Sequence, residues 1–488
     1  MAVFIMTKKI KKKPVPLASG QDIGGWILEH FLGEGGNGDV WKACRRGGSP
    51  HAIKFLRKTG EEAYSRFKTE IEILKQITPL AGIVPLVDQY IPESKVDGVP
   101  WFVMPLATPF NAYVNGKNPD EIVTGFLELS TVIEMLHSKG ISHRDIKPAN
   151  FLYLDGRLCL SDFGLVKFPK KPQVTPEKRD VGAKFTMAPE MRRVASTADG
   201  LPADVYSLAK SLWIALTGVE LGFDGQYNAA STQGLRNFIP HIYTTTLDRL
   251  IAECTDDNPA VRPKIAAFSA RLREWRKITD DFDTRNLAEW TELSHKLFPL
   301  GMPERVTWHH IDSICAVLAE MASVQALNHM FYPNGGGNTI TGVSRAAEKG
   351  MIALHIGEGG GVEILQPAKL TYESFGNKAN WNYFRLEAEI VEPTGQPHSH
   401  DLKGHVEGLT EITPGIYAPY YCWDNAEYRG EPLPTTARPV TRYLGGSFVF
   451  FSTNSPYNRT PSTYDGRHNK VSEEKFREYI ARSVGANY

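Results

Sequence analysis

The chain is poor in cysteine, carries no net charge and has no long apolar run, and each shortage removes a class of protein. Five cysteines occur in 488 residues, at Cys44, Cys159, Cys254, Cys315 and Cys422. They are odd in number, widely scattered and never in C-x-x-C spacing. This argues against a disulfide framework and a cysteine zinc site, and it fits a reducing, cytoplasmic setting. Lys plus Arg and Asp plus Glu both number 55, so nothing global marks a nucleic-acid or membrane-surface binder, and any polyanion site must be local. No stretch approaches the ~20 apolar residues of a spanning helix, and the opening MAVFIM is too short for a secretory core. The one basic cluster, KKIKKK at 8–13, runs into PVPLASG. Residues 1–21 therefore read as a mobile basic arm, more simply a solvated tail than a dock for an acidic partner or membrane.

What remains is ordinary globular composition, 42% hydrophobic and 23% charged, in a chain long enough for two or three domains. WILEHFLGEGGNGDVWKA (26–43) alternates into a glycine cluster and out again, which predicts strand, turn and strand. Gly33, Gly35, Gly36 and Gly38 would leave the tip without side chains, so backbone N–H groups could meet phosphate oxygens. Taken alone this G-x-G-x-x-G is weak, since such turns also close plain hairpins. It gains weight from AIK at 52–54, where the Lys54 ammonium on the next strand can reach the same oxygens. EEAYSRFKTEIEILKQI (61–77) places Phe67, Ile71, Leu74 and Ile77 on one helical stripe. Glu70 lies on that helix as the natural partner for Lys54. WFVMPLA (101–107) reads as a buried strand leading into a connection between lobes.

HRDIKPAN (143–150) suits neither helix nor strand, and SDFG (161–164) follows it after the strand-turn-strand FLYLDGRLCLS. Phosphoryl transfer asks for a carboxylate to accept a hydroxyl proton, two oxygen ligands for a metal, and a cation near the migrating group. Asp145, Asn150 with Asp162, and Lys147 supply these in turn. Amide and carboxylate oxygens are hard ligands suited to Mg²⁺. A series of Asx turns on a surface loop would explain one of these residues but not the set.

These segments together resemble the protein kinase family in its serine/threonine branch, over about residues 22–277. GEGGNGDV resembles the glycine-rich loop, AIK the lysine strand, Glu70 the partner glutamate, HRDIKPAN the catalytic loop, SDFG the magnesium loop and MAPE (187–190) the end of the activation segment. The resemblance implies an α+β, bilobal protein kinase fold, with a β-rich N-lobe at about 22–104 and a helical C-lobe at about 108–277. It implies ATP with Mg²⁺, or Mn²⁺ as an alternative, and protein substrates carrying Ser or Thr. Val40, Ala52 and Leu152 match adenine-sandwiching positions, Met104 the gatekeeper, and the backbone of Pro105, Leu106 and Ala107 the hinge. By the same resemblance Asp204 braces the catalytic loop, Arg262 pairs with Glu190, and Arg144 marks kinases whose phosphorylated activation loop is held by arginine, with Thr175 as the acceptor. Two positions depart from the pattern: Ala183 stands where a threonine is usual, and Thr186 where a bulkier aromatic is common. An autophosphorylating kinase is the reading favoured here over a pseudokinase scaffold acting through its C-terminal domain, or a small-molecule phosphotransferase.

The last two hundred residues match no family pattern. LAEWTELSHKLF and DSICAVLAEMASVQALNHMF predict two helices, and 278–335 reads as a helical connector. From 336 to 488 the pattern turns to short strands, MIALHI, VEILQP, YFRLEAEIV, GIYAPYYCW and VTRYLGGSFVFF, then a helix SEEKFREYIARS capped by Ser472. This β-rich accessory domain is expected to bind a regulator or target. IGEGGGVEIL (356–365) imitates a glycine-rich loop but lacks the motifs that should follow, so it reads as a hairpin turn. His398, His400 and His405 in HSHDLKGH are more simply loop histidines than metal ligands, and YDGRHNK (464–470) more simply part of an interaction surface than a second active site.

Overall fold

The computed structural model describes residues 17–485 except 36–37, 58–59, 78–79, 94–97, 168–184, 194–196, 240–241, 333–336, 358–360, 376–381, 392–404, 407, 415, 420–426, 429–430, 433, 442 and 453–471. Gly36, Thr175, Ala183, His398, His400, Cys422, the basic cluster at 8–13 and the YDGRHNK segment thus lie outside the described residues. The chain forms two compact units, Met1–Lys277 and Ile278–Tyr488.

In the first unit, β1 (Asp22–Ile23), β2 (Trp26–Gly35), β3 (Gly38–Cys44), β4 (Pro50–Leu56), β5 (Asp88–Tyr90) and β6 (Trp101–Pro105) build one antiparallel sheet in the order β1-β2-β3-β4-β6-β5. Because side chains alternate across a strand, the pairings fix which residues share a face. Val40 pairs with Lys54 and Lys54 with Phe102, while Ala52 pairs with Met104. Val40, Ala52, Lys54 and Met104 therefore share one face. The other face carries Trp26, Leu28, Ala43, Ile53, Phe55, Trp101 and Val103 as a packed core. Gly38 is needed for the pairing itself, since a Cβ there would lie 2.1 Å from the Phe55 carbonyl oxygen.

Helix α1 (Glu61–Ile77) buries the expected stripe of Phe67, Ile71, Leu74 and Ile77. Each such side chain contributes about 1.5–3 kcal/mol through burial. Below the sheet lie α2 (Phe110–Val114) and α3 (Pro119–Ser138), the latter opened by a capping box in which Asn118 and Glu121 exchange side-chain and backbone hydrogen bonds. A small sheet of β7 (Thr108–Pro109), β8 (Phe151–Leu154) and β9 (Arg157–Leu160) follows, with α4 (Pro189–Arg193), α5 (Gly200–Thr217), α6 (Thr245–Cys254) and α7 (Ile265–Asp280) beyond it. Helix α5 is capped by Asp199 and ends at Gly218 in the left-handed region. It is buried nearly all round, as an apolar helix at the centre of a core must be.

The second unit corrects the expectation of a helical connector at 278–335. That stretch holds α8 (Phe282–Leu297) and α9 (Ile311–Ala322), but also the strands Arg305–Trp308 and His329–Phe331, both of which enter a nine-stranded sheet. The physical reason is amphipathic: Trp290 and Leu293 of α8 and Ile314, Val317, Leu318 and Met321 of α9 need cover. They find it against Leu370, Tyr372, Phe384, Leu386, Phe448 and Phe450 on one face of that sheet. VTRYLGGSFVFF, expected as one strand, is two. Arg438–Thr441 joins a separate three-stranded sheet and Gly446–Phe451 the nine-stranded one. The break falls at Gly445, where a Cβ would lie 2.9 Å from Glu389 O. The glycine-rich stretch 356–365 lies in a hairpin in which Ile356 pairs with Gly361.

Helix α10 (Glu473–Gly485) covers the opposite face. Ser472 Oγ accepts from Lys475 N at 3.4 Å, and Phe476 and Ile480 pack on Phe331, Tyr383, Val449 and Phe451. Glu473 pairs with Lys369 at 2.6 Å and also with Arg305, while Arg477 reaches the buried Glu373 at 2.6 Å. If α9 belongs to this unit rather than to a linker, Ile314→Ala should lower the second unit's unfolding free energy by about 2–5 kcal/mol. Urea denaturation of the full chain checks this; a change confined to a few tenths would return α9 to a connector.

Candidate active site

Between the first unit's sheet and its helical part lies a cleft of about 370 Å³, lined by Gly33, Val40, Ala52, Lys54, Glu70, Met104, Leu106, Ala107, Asn150, Leu152 and Asp162 among others. The apolar members flank its outer part, and the ionisable ones cluster at the back. Gly35 and Gly38 do not line it; they pair with each other at the ends of β2 and β3.

Lys54 and Glu70 are both buried, and Lys54 Nζ donates to Glu70 Oε1 at 2.8 Å and approaches Asp162 Oδ1 at 3.4 Å. Burial would weaken the Lys54 ammonium, but the Asp162 and Glu70 carboxylates outweigh it and hold its pKa above the ordinary lysine value. Burial, reinforced by the like charge of Asp162, pushes the Glu70 carboxyl up to about 7 although Lys54 pulls the other way. Burial works against the Asp162 carboxylate too, yet the Lys54 and Lys147 ammoniums keep its pKa below the usual aspartate value.

The catalytic-loop segment is held by two sets of bonds. Asp204, on α5, accepts from His143 N at 2.7 Å through Oδ2 and from Arg144 N at 2.7 Å through Oδ1. His137, on α3, meets the same carboxylate at 3.0 Å. Within the loop, Asp145 Oδ2 receives Lys147 Nζ at 2.8 Å and Asn150 Nδ2 at 3.1 Å, and Asn150 Nδ2 also reaches Asp145 O at 2.7 Å. Asp145 Oδ1 is buried and finds no hydrogen-bond partner among the described residues. One carboxylate oxygen is thus fixed and the other is open to accept.

The two motif segments are stitched together by residues to which the sequence assigned no role. Asn150 O accepts from both Ser161 N and Ser161 Oγ at 2.9 Å. His143 Nε2 lies 3.1 Å from Ser161 O, its ring stands edge-on to Phe163, and its Nδ1 is 3.3 Å from Asp145 N. Burial lowers the His143 pKa, which keeps the ring neutral. The neutral ring donates from Nε2 and accepts at Nδ1. The signal was present, since His143 and Ser161 flank Asp145 and Asp162, but spacing alone could not say that they meet. Backbone strain gathers here as well: two of the three non-glycine residues with positive φ among the described ones are Arg144 (φ 67) and Asp162 (φ 61). Lower down, Arg262 makes a bidentate pair with Glu190 at 2.6 and 3.0 Å, tying α4 to the 3₁₀ turn Pro259–Val261.

Asn150 spends its amide hydrogens on Asp145, which leaves its carbonyl oxygen for a cation beside Asp162. Among the described residues no group of three or more His, Cys, Asp or Glu side chains converges on a metal position. One amide and one carboxylate oxygen fit a magnesium ion that completes its shell with phosphate and water.

Comparison with known proteins agrees with this geometry. The protein kinase domain family matches residues 26–312, more than half of the chain. A probable serine/threonine-protein kinase, YbdM of Bacillus subtilis, is 33% identical over 196 residues, covering 36% of this chain and 70% of the relative. The serine/threonine-protein kinase PknF of Mycobacterium tuberculosis is 28% identical over 272 residues, covering 51% and 55%. Mitogen-activated protein kinase kinase kinase 1 of Arabidopsis thaliana is 29% identical over 267 residues, covering 52% and 43%. The chain thus spans between 43% and 70% of these relatives' own lengths. On the match over residues 26–312 and the convergence of Lys54, Glu70, Asp145, Asn150 and Asp162 around one cleft, the chain belongs to the protein kinase family.

Proposed function

We propose that the chain is an ATP-dependent serine/threonine protein kinase that also phosphorylates itself and acts in the cytoplasm. The observation that carries this is the open Asp145 Oδ1, held beside a cleft whose far wall is the Lys54–Glu70–Asp162 cluster. In this reading the cleft takes ATP, with adenine between Val40 and Ala52 above and Leu152 below and the backbone of 105–107 at its edge. The glycine-rich sequence 33–38 is assigned to the phosphates, with Gly33 lining the cleft. Lys54 binds the phosphates and Glu70 fixes Lys54. Asp145 Oδ1 orients the substrate hydroxyl and accepts its proton as the hydroxyl oxygen bonds to the γ-phosphorus and the bond to ADP breaks. Lys147 neutralises charge on the transferred group while pinning Asp145 Oδ2. Magnesium, bound through Asn150 and Asp162, would screen the charge of the ATP phosphates.

Lys147 beside Asp145 favours serine or threonine as the acceptor, as do the relatives' names. The cytoplasmic placement is supported by the described cysteines, all free, and by the lack among the described residues of a helix long and apolar enough to cross a membrane. The second unit has its own apolar core. It serves as the accessory part of the kinase, recruiting a target or controlling activity.

Three outcomes test the reading. Asp145→Asn should lower kcat for phosphate transfer to the chain itself or to a generic protein by about 10²–10⁴-fold; radiolabelled ATP measures it, and an unchanged rate rules Asp145 out as the base. Since the Glu70 pKa stands near 7, the carboxyl takes up a proton as pH falls through that value and its pairing with Lys54 weakens. kcat/KM for ATP should therefore decline on the acid side of neutrality, and Glu70→Gln should flatten that limb at a lower plateau. Finally, a chain ending near residue 280 should retain phosphate transfer yet label a different set of cellular proteins; an identical phosphoproteome would deny the second unit a recruiting or controlling role.

A further inference from the structure

Ser161 joins the two residues assigned to magnesium. It directly precedes Asp162 in the chain, and its backbone N–H and its hydroxyl both bond to Asn150 O at 2.9 Å. Its own carbonyl oxygen lies 3.1 Å from His143 Nε2. Ser161 is half-buried and lines the cleft together with Asn150 and Asp162. No step of the transfer described above uses its hydroxyl.

The two bonds to Asn150 O do different things. A buried carbonyl is satisfied by one donor, and the Ser161 N–H already supplies it. The hydroxyl bond is not needed to pair the two segments, so its consequence lies on the serine itself. A carbonyl oxygen can only accept, which commits the Ser161 hydroxyl hydrogen to Asn150 O and leaves Oγ with its lone pairs. On the cleft wall Oγ is thus an acceptor alone, held in one orientation by a backbone partner.

Resting on the kinase reading above, we infer that Ser161 is a positioning residue for the metal, its Oγ accepting a hydrogen bond from a water molecule carried by the magnesium ion. Magnesium gives up water reluctantly, and a site offering one amide and one carboxylate oxygen leaves several waters on it. The ion polarises their O–H bonds, so each is a strong donor that is best placed by an acceptor already fixed in position. Alanine at this position keeps the N–H bond that joins the two segments and loses the acceptor. Threonine keeps both.

The test measures ADP binding to the full chain by calorimetry, first in EDTA and then across a Mg²⁺ titration, for wild type, Ser161→Ala and Ser161→Thr. Mg²⁺ should tighten ADP binding to wild type. The Mg²⁺ concentration giving half of that tightening should rise roughly 10- to 100-fold in Ser161→Ala, the range typical of an outer-shell partner, and stay near the wild-type value in Ser161→Thr. An unmoved half-point in Ser161→Ala overturns the inference, as does a Ser161→Thr chain that behaves like Ser161→Ala. A loss of ADP affinity that is equally large in EDTA also overturns it, because the hydroxyl then faces the nucleotide rather than the metal. A Ser161→Ala chain that fails to fold, or melts far below wild type without metal and nucleotide, makes the hydroxyl a structural staple and overturns it too. All these results leave the kinase reading standing so long as wild type transfers phosphate from radiolabelled ATP. Wild type that neither binds ADP with Mg²⁺ nor labels itself or a generic protein removes the kinase reading and this inference with it.

Discussion

One buried carboxylate organises the first unit. Asp204 sits on α5, a helix walled in on nearly every side, and takes the backbone N–H groups of His143 and Arg144 at 2.7 Å each. Arg144 adopts φ 67, a conformation that costs a non-glycine residue roughly 1–3 kcal/mol. Two hydrogen bonds to a charged, buried acceptor contribute about 1.5–3 kcal/mol apiece and offset that cost. The loop can therefore turn sharply enough to carry Asp145, Lys147 and Asn150 to one place. From there the Ser161 bonds to Asn150 O extend the order to Asp162, whose backbone is likewise strained.

The electrostatic logic is division of labour between oxygens. At Asp145 one oxygen is saturated by Lys147 and Asn150 and the other is left open, so the side chain is oriented without being neutralised as an acceptor. At the back of the cleft a single ammonium is shared between Glu70 at 2.8 Å and Asp162 at 3.4 Å, and the longer contact is the one that can loosen when another cation approaches Asp162. The neutral His143 ring adds a fixed dipole between the two acidic segments without adding charge.

The first unit was largely legible from its sequence because its signals are local. The stripe from Phe67 to Ile77 sets a helix, the alternation around residues 26–43 sets two strands, and motif order brings Lys54, Glu70, Asp145, Asn150 and Asp162 to one cleft. Gly35 and Gly38 show the limit: the glycine spacing is compatible with phosphate contact, yet a large part of what Gly38 does is let β3 approach the Phe55 carbonyl. The second unit was less legible for a different reason. Arg305–Trp308 and His329–Phe331 are four and three residues long, too short to show a period; the first becomes a strand by pairing with 367–373 and the second by pairing with 337–345 and 446–451. Helix α8 before them and α9 between them looked like a linker because much of the apolar surface that covers them comes from residues distant in sequence, such as Leu370, Phe384 and Phe450.

The placement of Gly446–Phe451 has a bearing on how this protein is made. That strand lies between Tyr383–Ala388 and His329–Phe331, in the interior of the nine-stranded sheet although it comes near the end of the sequence. A ribosome delivers the earlier strands first, so the sheet stays split down its middle until residue 451 has emerged, long after the first unit has everything it needs to close. During that interval two unpaired inner edges are exposed to the cell, and the nascent second unit is the part of the molecule on which chaperone demand falls.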